Sequence, residues 1–449
     1  MNPHFKNRTL CRPVLTCLVL CLALLSQNQL PAEDKKDLVP ASPVKGTDGG
    51  KPGAGKNVEI PAKPVATKPA LPTVYAFTLS RPYGEFDRYP TDPAVFENLL
   101  INMKKSGFNC IHCIYRDWRL ELCRKHGIKM MLDVLAWKGD ADTDIRRPEQ
   151  RAKLKPIVEK LRGDDAVWGY NIWNEKLEWF ANPDGKNIDE YITMLKEWDP
   201  THPIWMGTYR VSYANGPKSK PGVHAYYDYP WERGFIWHFA DLNWYRNYVP
   251  TQDGVFGSWQ LGSNYNRNSY SANTSIAFGQ KALLWFIDGP FDAKGDVDPK
   301  HRFHHLIQIG QEMHLLYPEI GKIGRPDEVF STPTTKWHDG KDKPADLPFQ
   351  LKGFPKDFWF QVRGGEAVIG FFKYPDGADA VFVANHNAYA PQKMEFMVSS
   401  EAASKDLKVE LFDREKGGWK IITPKDGAYG FELRSAGGDL VRVTGRIAK

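Results

Sequence analysis

Residues 167–175 read Val-Trp-Gly-Tyr-Asn-Ile-Trp-Asn-Glu. The first seven form an apolar run, rich in aromatic and β-branched side chains, of the length and type that favour a buried strand. The run then stops at an amide and a carboxylate. We therefore predict a strand over Val167–Trp173, with Asn174 and Glu175 directly behind it.

Similar short apolar runs, separated by amphipathic stretches, lie on both sides of this strand in the sequence. Further strands are predicted over Val74–Ser80, Cys110–Tyr115, Lys129–Trp137, Ile204–Tyr209, Val223–Tyr229, Val255–Gln260 and Ala282–Ile287. Amphipathic helices are predicted over Asp92–Lys105, 118–126, Pro148–Leu161 and Ile188–Trp198, between the last three strands, and over His301–Tyr317. A loop rich in Gly, Pro and Lys (214–222) replaces the helix after strand five, and the polar run Asn264–Ser275 predicts a long loop that rims a cleft.

Strands that alternate with helices indicate a parallel sheet with right-handed crossovers. Eight repeats over residues 73–325 match the roughly 250 residues of a closed (β/α)₈ TIM barrel. The rival is a doubly wound open sheet, which normally carries a Gly-rich phosphate loop after its first strand. Residues 80–83 read Ser-Arg-Pro-Tyr, so the α/β class is expected here as a barrel.

The pattern changes after Arg325. Short strand-like runs are separated by Gly, Pro, Asp and Lys, and helical periodicity is weak. These runs include Ala367–Tyr374, Ala380–Ala384, Met394–Val398, Val409–Phe412 and Leu440–Val443. Residues 326–449 are therefore expected to form a small all-β sandwich.

The N-terminus has the pattern of an export signal. Basic residues precede an apolar run over Val14–Leu25 that is too short to span a bilayer comfortably, so 1–32 is expected to be a signal peptide. Residues 33–72, rich in Pro, Lys, Ala and Gly, are expected to be a disordered linker. The protein is thus expected to be secreted or periplasmic, without a transmembrane segment. A lipid anchor at Cys17 or Cys21 stays open, although neither follows a small residue.

Charge and cysteine content exclude several classes. The formal net charge is +6, and three of those charges lie in the expected signal, which argues against a nucleic-acid partner. The mature chain keeps Cys110, Cys113 and Cys123, too few for a disulfide framework. His301 and His305 have i,i+4 spacing but no acidic third ligand, so neither a metal nor a cofactor is expected. The oligomeric state is not predicted.

The predicted strand ends, where a barrel carries its active site, collect carboxylates, amides, guanidinium groups and aromatic rings. Such groups suit sugars, whose C–H faces stack on rings while their hydroxyls need paired donors and acceptors. The candidate residues are Arg116, Trp137, Asn174, Glu175, Tyr227, Asp228, Gln260, Trp285 and Asp288.

The Gly-Tyr…Asn-Glu pattern of residues 169–175 resembles the fourth strand of clan A glycoside hydrolases. The resemblance covers the barrel and the appended β domain. It implies that Glu175 is the catalytic acid/base and that Asn174 binds the sugar 2-hydroxyl. Lys176 stands where the family usually has Pro.

A second feature departs from that family. Its nucleophile is a Glu at the end of strand seven, whereas this strand ends in Gln260, and no Glu occurs between Glu232 and Glu312. Three explanations stay open: Asp228 or Asp288 supplies the second carboxylate, for example as the base of an inverting reaction; the acetamido group of the substrate attacks; or the barrel binds glycans without cleaving them.

The sequence therefore predicts a secreted glycoside hydrolase acting on a poly- or oligosaccharide. Glu175 is its acid/base, Asp228 or Asp288 its second carboxylate, and Asn174, Arg116, Trp137, Tyr227, Gln260 and Trp285 bind substrate. The alternative is a non-catalytic glycan-binding barrel. A polysaccharide lyase has no positive motif.

Overall fold

The computed structural model describes residues 74–78, 90–133, 148–173, 186–208, 220, 222–228, 235–249, 255–260, 263–285, 289–334 and 351–447. For some strand and helix residues the description covers the backbone alone. The predicted signal peptide (1–32) and linker (33–72) lie outside these residues, as does the predicted loop after the fifth strand apart from its last residues.

Eight parallel strands form the first part of the chain. They are β1 (Val74–Thr78), β2 (Cys110–Cys113), β3 (Lys129–Asp133), β4 (Val167–Trp173), β5 (Ile204–Thr208), β6 (Gly222–Asp228), β7 (Val255–Gln260) and β8 (Ala282–Trp285). Each strand pairs with the next in sequence, and β1 also pairs with β8, so the sheet closes on itself. The parallel order predicted from the sequence is confirmed.

Helices follow most of these strands. They are α1 (Pro93–Lys105), α2 (Asp117–His126), α3 (Pro148–Leu161), α4 (Lys186–Trp198), α5 (Phe235–Tyr248), α6 (Tyr265–Ala277), α7 (His305–Met313) and α8 (Tyr317–Lys322). Local signals define their ends: Asp92 accepts a hydrogen bond from the amide of Ala94 at 2.8 Å, and α2 ends at Gly127 in the left-handed region. None of the helices among these residues is long and apolar enough to cross a membrane.

Two helical predictions were wrong. The polar run after β7 is the helix α6 rather than a loop, and its residues 268–277 are all buried. The segment predicted as one helix over His301–Tyr317 is a turn followed by α7 and α8, and Pro318 stands in the first turn of α8, where its fixed φ favours a new helix start.

The second part of the chain contains two antiparallel sheets. Its strands are β9 (Glu328–Ser331), β10 (Phe360–Gly364), β11 (Ala367–Lys373), β12 (Asp379–Asn385), β13 (Gln392–Val398), β14 (Ala403–Asp413), β15 (Gly418–Ile421), β16 (Tyr429–Leu433) and β17 (Gly438–Arg446). One sheet has the order β10-β13-β16 and the other β15-β14-β17-β12-β11-β9.

The six-stranded sheet buries both of its faces. Along β12, Val381 and Val383 pack with Phe396 and Phe431 of the three-stranded sheet, which makes the pair of sheets a sandwich. The alternate residue, Phe382, belongs instead to the core that contains the barrel helices. Because strand side chains alternate between faces, this sheet is the layer shared by the barrel and the sandwich.

Candidate functional site

Three predicted site residues end three neighbouring strands. The register pairs Asp228 at the end of β6 with Gln260 at the end of β7, and Gln260 with Trp285 at the end of β8. Paired strands lie about 4.8 Å apart. The carboxylate-bearing Asp228 is therefore one strand spacing from the position where the resemblance expects a nucleophile.

The two predicted site residues with described side chains differ in exposure. Trp285 is fully buried in the core cluster of the barrel, so packing explains the presence of a large side chain at this position. Arg116 is exposed directly after β2, in extended backbone that precedes α2. The substrate contacts of both stay predictions.

The other candidates lie wholly or partly outside the described residues. Trp137, Asn174, Glu175 and Asp288 fall in segments that are not described, and Tyr227, Asp228 and Gln260 are described in their backbone only.

A polar group inside the barrel was missed from the sequence. His112 of β2, Asn171 of β4 and the side chain of Asp133 of β3 are buried: the Nδ2 of Asn171 lies 3.1 Å from the Nε2 of His112, and an Asp133 oxygen lies 3.7 Å from the same nitrogen. Asp133 is the last residue of β3 and pairs in register with Asn171. We call these three residues the lumen triad. The signal in the sequence was a polar residue inside each of three otherwise apolar runs.

Burial lowers the pKa of His112 to about 3. The imidazole is therefore neutral at physiological pH, and its Nε2 accepts the hydrogen bond that the Asn171 amide donates. Because the ring is neutral, its 3.7 Å contact with Asp133 is not an ion pair.

Aromatic side chains fill the barrel beside this triad. Trp205 of β5 pairs in register with Asn171 and is fully buried, with its ring edge-on to Trp168 at 5.9 Å between centroids. Gly257 of β7 makes room for it, because a Cβ there would lie 2.7 Å from the Trp205 ring. The polar triad thus has a rigid apolar neighbour.

Within the described stretches, no cluster of three or more His, Cys, Asp or Glu residues could hold a metal ion. The Nε2 of His305 instead lies 2.8 Å from the amide nitrogen of Asn268 in α6. Burial, followed by the neighbouring His304, lowers the pKa of His305 to about 4, so this ring is a neutral hydrogen-bonding group.

No protein-family profile and no curated protein sequence matches the chain. Solved structures with a similar course of the chain include an alpha-amylase from Anoxybacillus (11% identity, 84% of this chain and 99% of that one, TM-score 0.44). Others are alpha-galactosidase I from Mortierella vinacea (8%, 84% and 99%, 0.45) and a family 51 alpha-L-arabinofuranosidase from Bifidobacterium longum (9%, 83% and 97%, 0.42). With TM-scores below 0.5, these likenesses carry no argument about activity.

Proposed function

We propose that the chain is a secreted glycoside hydrolase that acts on a poly- or oligosaccharide, with Glu175 as its general acid/base. The observation that supports the proposal is the end of β4 at Trp173, one residue before Asn174, in a closed ring of parallel strands. The carboxyl edge of such a ring is where barrel enzymes carry their chemistry.

Hydrolysis of a glycosidic bond needs two carboxyl groups. One protonates the departing oxygen, and the other attacks the anomeric carbon or activates a water molecule. Gln260 is neutral and cannot form a glycosyl ester. Asp228 is its registered neighbour on β6, and we therefore assign the second role to Asp228, with Asp288 after β8 as the competing residue.

Other candidates would bind the sugar. Asn174 would contact a hydroxyl group beside the reacting carbon, and Gln260 would contribute an amide in place of the nucleophile. Arg116, Trp137 and Tyr227 complete the proposed contacts, because guanidinium groups and aromatic rings match the hydroxyls and C–H faces of sugars.

The test is a glycan panel assayed with the full chain and its Glu175→Gln variant. Loss of the general acid should lower turnover on a responsive glycan roughly 10²- to 10⁴-fold, the usual contribution of such a group. Glu121→Gln, an exposed change on α2, is the matched control and should leave turnover unchanged. Equal activity of Glu175→Gln and wild type would remove Glu175 from the mechanism.

A second comparison assigns the other carboxylate. Asp228→Asn should abolish most turnover, while Asp288→Asn should retain it; the reverse result would move the role to Asp288. Added azide should restore turnover to the variant that lacks the base or nucleophile, because a small anion can take the place of the lost group.

A non-catalytic glycan-binding barrel is the second candidate, favoured by Gln260 at the end of β7. It predicts heat of binding to a glycan in calorimetry with no release of reducing ends. Hydrolysis of the bound glycan that is lost in Glu175→Gln would reject it.

A further inference from the structure

The lumen triad is costly to bury. His112 and Asn171 are fully buried, and the side chain of Asp133 is 4% exposed. A buried polar group that gains no compensating hydrogen bond destabilises the folded state. Apolar side chains also fit inside this barrel, because Met131, two residues before Asp133 in β3, is fully buried. Packing alone does not explain a His, an Asp and an Asn here.

One side-chain oxygen of the lumen triad makes no hydrogen bond within the described residues. The Oδ1 of Asn171 is buried and accepts no hydrogen bond from any group in the described part of the chain. Buried acceptors in folded proteins usually have a hydrogen-bond partner, so an open one requires an explanation. The amide is thus held at one end by His112 and open at the other.

The triad also has a defined place along the strands. Asn171 lies two residues before the end of β4 and four residues before Glu175. A strand advances about 3.3 Å per residue and presents every second residue on the same face. Asp133 ends β3, beside Asn171 in register. Asp133 therefore lies at the carboxyl end of β3, and Asn171 lies one layer below the carboxyl end of β4.

We propose that His112, Asp133 and Asn171 are positioning residues that fix the end of β4 and, through it, the orientation of Glu175. This inference rests on the proposed function. The neutral imidazole ties β2 to β4 through the Asn171 amide, while Asp133 lies beside Asn171 at the end of β3. A displacement of about 1 Å at a reacting group can cost 100-fold in rate.

Two variants of His112 test the proposal. His112→Leu removes the bond to Asn171, and kcat per folded molecule should fall roughly 10- to 100-fold with KM changed less than about threefold. His112→Gln keeps an acceptor for the Asn171 amide and should recover kcat to within about threefold of wild type. Asn171→Ala, a smaller change, should lower kcat in the same way if His112→Leu does not fold.

The control is Tyr170→Phe, on the same strand. The Tyr170 hydroxyl donates to Asp199 at 2.7 Å, away from the triad, so its loss should lower the unfolding temperature and leave kcat unchanged. If the triad variants lose no more kcat than Tyr170→Phe, the inference is wrong. If the wild type hydrolyses no glycan, the proposed function and this inference are both overturned. If the enzyme is active and needs Glu175 but not His112, only this inference is overturned.

Discussion

At the scale of single residues, Lys281 is a buried amine that the proposed chemistry does not use. Its Nζ donates to the carbonyl of Ile323 at 2.8 Å and to that of Ile320, at the end of α8, and lies 5.9 Å from the centre of the Phe372 ring. Burial lowers the pKa of this amine to about 7. A neutral amine keeps two N–H donors, one for each carbonyl.

This lowered pKa predicts a dependence of stability on pH. Between about pH 7 and the ordinary value near 10.4, the unfolded chain holds the Lys281 proton and the folded chain does not. The free energy of unfolding should therefore rise with pH across this window. Urea unfolding at pH 6.5 and 9 should show that the difference between wild type and Lys281→Met shifts in favour of wild type at pH 9. A difference that is the same at both pH values would contradict it.

At the scale of elements, prediction succeeded where side-chain periodicity was strong. The bounds of β4, β7 and α3 match the predicted ranges, because an apolar or amphipathic run stops abruptly at polar residues or Gly. α6 was mispredicted because Asn, Ser and Thr dominate it. Some of its polar groups bond locally and across the interface: Asn273 donates to the carbonyls of Ser269 at 2.9 Å and Ala436 at 3.0 Å. Periodicity cannot show that a sheet supplies acceptors.

The small side chains of α6 allow the six-stranded sheet to approach its backbone closely. A Cβ on Gly370 of β11 would lie 2.0 Å from the carbonyl oxygen of Ala277, at the end of α6. Gly370→Ala should therefore lower the free energy of unfolding by roughly 1–3 kcal/mol through overpacking. Gly418→Ala in β15, where nothing lies within 4 Å of the added carbon, is the control for chemical denaturation. Equal stability of the two variants would mean that the backbone of α6 can shift away from the added carbon without lowering the free energy of unfolding.

At the scale of the whole molecule, the site was predictable only in part. The end of β7 at Gln260 was predicted correctly, and the ends of β6 and β8 were predicted to within two residues. Parallel strands bring these carboxyl ends to one edge of the sheet. The lumen triad was not predicted, because recognising it requires the cross-strand register of β2, β3 and β4 and the inward direction of each side chain. In the sequence, His112 and Asn171 are 59 residues apart, with nothing local to connect them.

The sheet that the barrel and the sandwich share also determines how the two parts unfold. Phe382 of β12 is fully buried in the core that contains the barrel helices, whereas its neighbour Val383 is fully buried between the two sheets. Because one sheet supplies both cores, we expect the two parts to lose structure in a single cooperative transition. Phe382→Ala should lower the free energy of unfolding by about 3–5 kcal/mol, and Val383→Ala by less.

Hydrogen exchange followed by mass spectrometry in increasing urea can distinguish coupled from independent unfolding. In each variant, peptides from β2–β3 in the barrel and from β10–β13 in the sandwich should lose protection at the same urea concentration, since neither core survives the loss of the shared sheet. Independent parts would behave differently: Val383→Ala would then expose sandwich peptides while barrel peptides stayed protected. That result would mean that the two cores unfold independently and that the shared sheet affects only the packing around each substituted residue.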